Sequence, residues 1–204
     1  ARDSDAVSLR EAGVDVIQDP YLVVTAASVA DSPARAGHVL AGIAASADWL
    51  VITSPKAVDA LASLTSDERL SAAIREGQLR GLRIAAVGRS TAARLEDRGA
   101  VGVSTPHVST AEALASRLLA ESAPSGCILP IGDQALPTLA RTLEDAGWSV
   151  DAPVVYCTAQ VTCPPNSAER LAAGEFAAIV LRSPTAVRAV DKFVPNIPDS
   201  TVAV

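Results

Sequence analysis

Short apolar runs alternate with amphipathic segments along most of the chain. Runs at 48–53, 82–87 and 127–131 consist mainly of Val, Ile, Leu and Ala, and each precedes a segment whose apolar residues recur every three or four positions. The runs have the length of buried strands, and the segments have the period of helices that bury one face. This alternation predicts an α/β fold built on parallel sheets.

One strand–turn–helix element occurs twice. Residues 50–61 read LVITSPKAVDAL, and residues 179–190 read IVLRSPTAVRAV. We expect Ser54 and Ser183 to cap the two helices, with a proline at the first helical position, where its missing N–H costs nothing. Each turn is then predicted to present free backbone N–H groups and a hydroxyl at the carboxyl end of a strand, where open α/β sheets bind anions.

The duplication extends to a second pair of elements. Residues 9–16 read LREAGVDV and residues 143–150 read LEDAGWSV, and an extended segment follows each of them. The offset is 134 residues between Gly13 and Gly147 and 129 residues between the two Ser-Pro serines. Elements that recur in the same order at a nearly constant offset predict two related halves. Chance likeness between common α/β units is the alternative.

The repeat makes residues 21–25 and 154–160 equivalent extended segments. If these segments lie side by side, the chain forms two doubly wound parallel-sheet domains joined by a two-stranded linker. Residues 26–153 then form one domain, and residues 1–20 join 161–204 to form the other. A doubly wound half begins with a strand, so the helical start of this chain predicts a missing strand. The strand at 200–204 stops before its turn, which predicts that this domain is incomplete at both ends.

The finer pattern predicts individual elements. Ser109 begins a capping box for a helix over 111–121. In the turn at 88–91, Ser90 or Thr91 is expected to cap a helix while neighbouring N–H groups stay free for an anion, although a plain N-cap is the alternative. We further predict strands at 14–17, 101–103 and 127–131, and helices at 39–47 and 135–146.

Composition excludes several classes of protein. The 204 residues carry a net charge of −6, which weighs against a nucleic-acid surface. No apolar run is long enough to span a membrane, and no signal peptide is recognisable. The three cysteines, Cys127, Cys157 and Cys163, are too few for a disulfide scaffold, and no histidine lies near them to complete a zinc site. Reduced thiols of a cytoplasmic protein are the expectation.

Four motifs, taken in order, resemble the uroporphyrinogen-III synthase family. They are TSPKAV at 53–58, AVGRST at 86–91, the pair Leu143…Gly147 and VYCT at 155–158, and RSPTAV at 182–187. The resemblance covers most of the chain. It implies two flavodoxin-like domains with linker strands, a cytoplasmic monomer, and catalysis without a metal or an organic cofactor.

The resemblance also implies a substrate and a reaction. The substrate is hydroxymethylbilane, a linear tetrapyrrole with eight carboxylates, which hydroxymethylbilane synthase would hand over. Members of the family remove water from its terminal hydroxymethyl group, invert the last pyrrole ring through a spiro intermediate and close the macrocycle. Because the bilane closes unaided to the wrong isomer, the enzyme's task is mainly positioning. Helix N-termini suit its carboxylates despite the acidic net charge, because local dipoles act at short range.

By the same resemblance, Tyr156 would donate a hydrogen bond or a proton to the departing hydroxyl. A phenol is a poor acid near neutral pH, so assistance is expected and not obligatory catalysis. A linker tyrosine that packs between elements is the alternative. The residues that the resemblance makes candidates for binding substrate are Ser54, Ser90, Thr91, Ser183, Lys56 and Arg2. Lys56 and Arg89 would add charge or else lie on the solvated surface.

Two departures leave a rival hypothesis open. Arg182 stands where a small or apolar residue is more usual, and a second Gly-x-x-Thr turn would fall beyond Val204. The rival is a non-catalytic ligand-sensing module of a transcriptional regulator, which would meet nucleic acid only through a fused DNA-binding domain. Tyr156 favours the enzyme. A two-domain solute-binding protein is a third hypothesis, weakened by the absence of a signal peptide.

Overall fold

A computed structural model of the chain describes residues 4–26, 32–45, 47–181 and 183–203. Arg2 and Arg182 lie outside the described residues. The chain divides into two compact units: unit 1 comprises Ala1–Val23 and Ala159–Val204, and unit 2 comprises Val24–Thr158. Helices alternate with strands that pair in parallel, so the predicted α/β fold with parallel sheets is confirmed.

The elements are numbered in chain order. The helices are α1 (Ser4–Glu11), α2 (Ser32–Ala45), α3 (Pro55–Thr65), α4 (Asp67–Leu79), α5 (Arg89–Glu96), α6 (Ala111–Glu121), α7 (Thr138–Asp145), α8 (Ser167–Ala172) and α9 (Pro184–Asp191). The strands are β1 (Leu22–Thr25), β2 (Trp49–Ile52), β3 (Arg83–Ala86), β4 (Gly126–Ile128), β5 (Ile131–Gly132), β6 (Ser149–Asp151), β7 (Val154–Gln160), β8 (Ala178–Ile179) and β9 (Val202–Ala203). Over the described residues, no helix combines the length and the apolarity that crossing a membrane requires.

Unit 2 is built on a four-stranded parallel sheet in the order β3-β2-β4-β6. Every residue of β2 is buried, because alternate side chains enter different cores on the two faces of the sheet. Leu50 and Ile52 join a cluster with residues of α2, α3, α4 and α5, whereas Trp49 and Val51 join a cluster with residues of α6 and α7. Helices thus cover both faces, as a parallel sheet requires.

Unit 1 has a smaller framework. Its two-stranded parallel sheet pairs Ala178 with Val202 and Ile179 with Ala203. Its core cluster contains four buried side chains. Ala168 and Leu171 belong to α8, Val190 belongs to α9, and Val194 follows α9. An apolar cavity of about 770 Å³ lies between residues 14–22 and residues 176–181.

The chain passes from one unit to the other within β1 and β7. These strands belong to a third sheet, with the order β1-β7-β5. The single strand predicted at 127–131 is wrong: β4 ends at Ile128 and pairs with β6, whereas β5 begins at Ile131 and pairs with β7. Pro130 separates the two because it has no N–H to donate to a ladder.

Two further strand predictions are wrong. Residues 14–17 form no strand, and Val14 and Ile17 are about half exposed, at 48% and 46%. Residues 101–103 form no strand either, and only a single bridge between Ala85 and Ser104 extends the sheet there. A β-branched run becomes a strand only where a neighbouring strand supplies a ladder and a packed face.

Two predicted helix starts are also wrong. The helix α2 begins at Ser32 and not at residue 39, since Pro33 is tolerated in a first turn and Ala36 already joins the buried face. The helix α7 begins at Thr138 and not at residue 135, because Pro137 takes the N-cap position. In both cases the proline marks a helix start.

Candidate active site

The Ser54 turn joins the buried strand β2 to the helix α3. Ser54 has extended backbone angles and caps the helix, and Pro55 takes the first helical position, as predicted. The Lys56 N–H donates to Ser54 Oγ at 3.3 Å, and the Ala57 N–H donates to the Ser54 carbonyl oxygen at 3.1 Å. The start of the helix itself therefore offers no free donor at this turn: Pro55 has no N–H, and the next two donors have acceptors inside the turn.

The Gly88 turn joins β3 to α5 and is organised differently. Gly88 itself is the N-cap, without a side-chain hydrogen bond, so the prediction that Ser90 or Thr91 caps the helix is wrong. The Thr91 and Ala92 N–H groups donate to the Gly88 carbonyl oxygen at 3.1 and 3.0 Å. Within the part of the chain that the structure describes, the N–H groups of Arg89 and Ser90 have no acceptor. This turn, at the positive end of a helix, offers donors to an anion.

The two turns lie next to each other at the carboxyl edge of the unit 2 sheet. Ile52 and Ala86 are in register on β2 and β3, and the Val87 N–H donates to the Ile52 carbonyl oxygen at 3.0 Å. Each turn begins two residues after this pair, and neighbouring strands lie about 4.8 Å apart. The Ser54 hydroxyl and the open donors of the Gly88 turn therefore share one edge.

The polar side chains of the two turns differ in exposure. Ser90 is exposed, whereas Thr91 is only 1% exposed and lies on the buried side of α5. Lys56 and Arg89 are exposed, and neither forms an ion pair with a described residue. Ser90 is thus the more accessible of the two hydroxyls, and two unneutralised cations belong to the same turns.

Ser109 also belongs to this edge, which sequence reasoning missed. A Cβ atom placed on Gly88 would lie 2.5 Å from Ser109 Oγ, so the serine side chain lies directly against the Gly88 backbone. The helix predicted for 111–121 is correct, but its cap is Thr110, which accepts from the Ala113 N–H at 3.2 Å. Because Ser109 and Thr110 both carry a hydroxyl, the sequence alone does not show which of them caps α6 and which contacts the Gly88 turn.

Tyr156 lies in β7, with its side chain partly buried against the unit 2 core. Its neighbour Val155 is completely buried and belongs to the core cluster against which Tyr156 packs. In the parallel pairing of β5 with β7, Tyr156 is opposite Gly132. Its hydroxyl has no hydrogen-bond partner among the residues that the structure describes.

The other candidates lie in unit 1 or outside the described residues. Ser183 is exposed and caps α9 in the predicted way, accepting from the Ala186 N–H at 3.1 Å. The structure therefore repeats the Ser54 cap in unit 1. Arg2, the remaining candidate, lies outside the described residues.

The cysteines and the metal-ligating residue types form no centre in the described part of the chain. No group of three or more His, Cys, Asp or Glu side chains there is arranged to hold a metal ion. Cys127 is buried, Cys157 is partly buried and Cys163 is exposed, and all three are free thiols. Burial raises the pKa of the Cys127 thiol to about 12, with smaller contributions from the Asp151 and Glu144 carboxylates.

Comparisons with solved structures match this fold. A mutant uroporphyrinogen-III synthase from the thermophilic bacterium Thermus thermophilus is 17% identical, with a TM-score of 0.56 over 93% of this chain and 72% of that chain. The uroporphyrinogen-III synthetase from Helicobacter pylori is 14% identical, with a TM-score of 0.54 over 92% of this chain and 75% of that chain. At these identities the likeness shows a shared fold.

The sequence itself carries the family assignment. A search of curated protein sequences gives no match. The family model described as uroporphyrinogen-III synthase HemD matches residues 3–204, which is nearly the whole chain. The chain therefore belongs to the uroporphyrinogen-III synthase HemD family.

Proposed function

We propose that this protein is a uroporphyrinogen-III synthase that converts hydroxymethylbilane into uroporphyrinogen III. Family membership supports the reaction, and one observation in unit 2 supports the binding of its substrate. The open N–H donors of the Gly88 turn lie beside the Ser54 hydroxyl at one sheet edge, with Lys56 and Arg89 exposed on the same turns. Donors of this kind suit carboxylates.

The carboxylate contacts that we propose are divided between the two kinds of turn. The N–H groups of Arg89 and Ser90, together with the Ser90 and Thr91 hydroxyls, would hold one carboxylate, and Ser54 with Lys56 would hold another. Ser183 offers the corresponding hydroxyl in unit 1. Because hydroxymethylbilane has eight carboxylates, several such contacts can fix one conformation of a flexible chain. Holding the terminal ring for the correct attack is the main source of catalysis that we infer.

Tyr156 is the residue that we assign to the chemical step. When the bond between the terminal methylene carbon and its hydroxyl breaks, the leaving oxygen gains negative charge, and a phenol O–H can donate to it. Water leaves, and the electron-poor methylene carbon is attacked by the last pyrrole ring to give the spiro intermediate that the family uses. The free Tyr156 hydroxyl supports this role, since no described residue competes for its proton.

The wider setting follows from the same proposal. We infer two flavodoxin-like domains, a cytoplasmic monomer without a metal or organic cofactor, and delivery of the unstable bilane by hydroxymethylbilane synthase. Each of these inferences rests on family membership and on the proposed reaction.

The proposal is tested by supplying the protein with freshly generated hydroxymethylbilane, oxidising the products and separating the porphyrin isomers. We expect isomer III to predominate, whereas heat-denatured protein should yield only isomer I by spontaneous closure. Isomer I alone from the folded protein would overturn the synthase assignment and favour a ligand-sensing module.

A further inference from the structure

Tyr156 packs against the backbone of a glycine at the end of the neighbouring strand. Gly132 is the last residue of β5, and the pairing shifts register between Ile131 and Gly132 so that Gly132 is opposite Tyr156. A Cβ atom on Gly132 would lie 2.5 Å from Tyr156 Cζ, 2.6 Å from Cε2 and 2.8 Å from the hydroxyl oxygen. Carbon atoms in contact prefer about 3.5 to 4.0 Å. No other amino acid can therefore stand here while the ring stays in place.

Close approach is the physical reason for a glycine at this position. The backbone of Gly132 does not lie in the left-handed region, in contrast to Gly13, Gly81 and Gly147. Any residue could adopt its backbone conformation. What Gly132 supplies is the absence of a side chain beneath the hydroxyl end of the tyrosine ring.

The backbone around Tyr156 is held too firmly to move instead of the ring. The Asp133 N–H donates to the Tyr156 carbonyl oxygen at 3.0 Å, and Asp133 Oδ1 accepts from the Thr158 N–H at 2.9 Å. Gln134 Nε2 donates to the Thr158 carbonyl oxygen at 2.7 Å. These contacts continue the ladder beyond the end of β5, while Val155 is completely buried in the unit 2 core. A methyl group at position 132 would thus displace the ring and its hydroxyl.

We propose that Gly132 is a positioning residue that sets where the Tyr156 hydroxyl meets the leaving group of the substrate. This inference rests on the proposed function. A proton donor must come within about 2.6 to 3.2 Å of the atom that it serves. A displacement of about 1 Å is enough to lose most of such a contribution. Gly132 never touches the substrate in this proposal and acts only through the ring.

The first test measures the ring directly and needs no activity. Tyr21 and Tyr156 are the only tyrosines in the sequence, so protein with ¹³C-labelled tyrosine gives two sets of ring signals, which Tyr21→Phe assigns. We expect Gly132→Ala to shift the Tyr156 signals and to leave those of Tyr21 unchanged. The control is Gly126→Ala on β4, where the nearest atom to the new methyl group would be Asp48 Oδ2 at 3.6 Å. Unchanged Tyr156 signals in Gly132→Ala would overturn the inference.

The second test measures turnover. If Tyr156→Phe lowers kcat about tenfold, as expected for the loss of one assisting donor, then Gly132→Ala should lower kcat to a similar extent and leave KM within about twofold. The double variant should be no slower than Tyr156→Phe alone, since both changes remove the same contribution. Gly126→Ala should match the unsubstituted protein.

The outcomes separate this inference from the proposed function. A double variant whose loss is the product of the two single losses, about a hundredfold, would show that Gly132 acts independently of Tyr156 and would overturn the inference. A loss in Gly132→Ala that appears only in KM would do the same. Failure of the unsubstituted protein to form isomer III would overturn the proposed function, while shifted Tyr156 signals would still establish that Gly132 sets the position of the ring.

Discussion

The two Ser-Pro turns have the same cap but stand on different frameworks. In unit 2, the strand before Ser54 is completely buried and has a partner on each side. In unit 1, the strand before Ser183 is two residues long, and its described ladder partner is β9. Yet both serines cap their helices through Oγ, which accepts from the Lys56 N–H at 3.3 Å in unit 2 and from the Ala186 N–H at 3.1 Å in unit 1. A helix cap is a local property, whereas a strand depends on its neighbours.

The repeat sharpens this contrast. Residues 14–16 correspond to residues 148–150, yet only the latter contribute to a strand, β6, because β4 lies beside it. In unit 2, β4 stands between β2 and β6. The apolar cavity of unit 1 lies between β8 and residues 14–17, which is the corresponding place. The two copies thus differ in what lies beside the repeated segment, which is a strand in unit 2 and a cavity in unit 1.

The largest expected difference between the units is in core stability. Ile52 is completely buried, and the equivalent Leu181 is partly buried. We expect Ile52→Ala to lower the free energy of unfolding by about 2–5 kcal/mol, and Leu181→Ala to lower it by about 1 kcal/mol. Urea unfolding measures both, with fluorescence of Trp49 and Trp148 reporting on unit 2 and circular dichroism on the whole chain. Equal losses would contradict the difference in packing.

The difference in burial between the two units should also appear in how the free energy of unfolding depends on pH. The Cys127 thiol in unit 2 has a pKa of about 12, against an ordinary 9.0, because burial disfavours the thiolate. Above pH 9 the unfolded chain loses this proton while the folded chain keeps it, so stability falls as pH rises from 9 towards 12. We expect a loss of about 1 kcal/mol near pH 10. Urea unfolding at several pH values measures it.

Two variants serve as controls for the thiol prediction. Cys127→Ala should be less stable at pH 8 but should lack this part of the decline above pH 9. Cys163→Ala removes an exposed thiol of unit 1 and should leave the decline unchanged. An identical pH dependence in Cys127→Ala and the unsubstituted protein would refute the assignment to Cys127.

Local signals in the sequence carried much of the fold. The strands β2 and β3 and the helix α6 lie where the apolar pattern predicted them, and the proline after each capping serine fixed the start of α3 and α9. These features depend on residues within one turn or one strand of each other. Where a local signal was misjudged, as with Pro137 at the start of α7, it was still present in the sequence.

The site depended on contacts that no local pattern contains. The bridge between Ala85 and Ser104 brings the following loop back along β3, and Ser109 thereby reaches Gly88. Likewise, Gly132 and Tyr156 are 24 positions apart in the sequence, and only the pairing of β5 with β7 brings them together. The sequence names the residue types in each case, but tertiary pairing decides which of them meet.

The two serine caps should contribute about equally to the free energy of unfolding, in contrast to the two cores. We expect Ser54→Ala and Ser183→Ala each to lower the free energy of unfolding by about 1 kcal/mol, since each removes one side-chain cap. Ser54→Asp and Ser183→Asp retain a capping oxygen and should restore most of the stability in urea unfolding. A cap contribution in unit 2 much larger than that in unit 1 would show that the framework, and not the turn alone, determines it.

The smallest expected effect concerns substrate capture at the Gly88 turn. We expect Thr91→Ala to raise the KM for hydroxymethylbilane about twofold to tenfold, the range for loss of one hydrogen bond, with kcat nearly unchanged. Thr91 is buried, so the substitution also changes the packing of α5 against the core. Thr91→Ser, which keeps the hydroxyl but loses the methyl group, separates these causes in the same steady-state assay.

The paired variants decide between binding and packing at this turn. If the hydroxyl binds substrate, Thr91→Ser should keep a normal KM even where it loses as much stability as Thr91→Ala. If Thr91→Ser raises KM as much as Thr91→Ala does, the methyl group is what matters, and Thr91 supports the turn from within the core. Capture would then rest on the exposed Ser90 and on the N–H groups beside it, and Ser90→Ala should raise KM in place of Thr91→Ala.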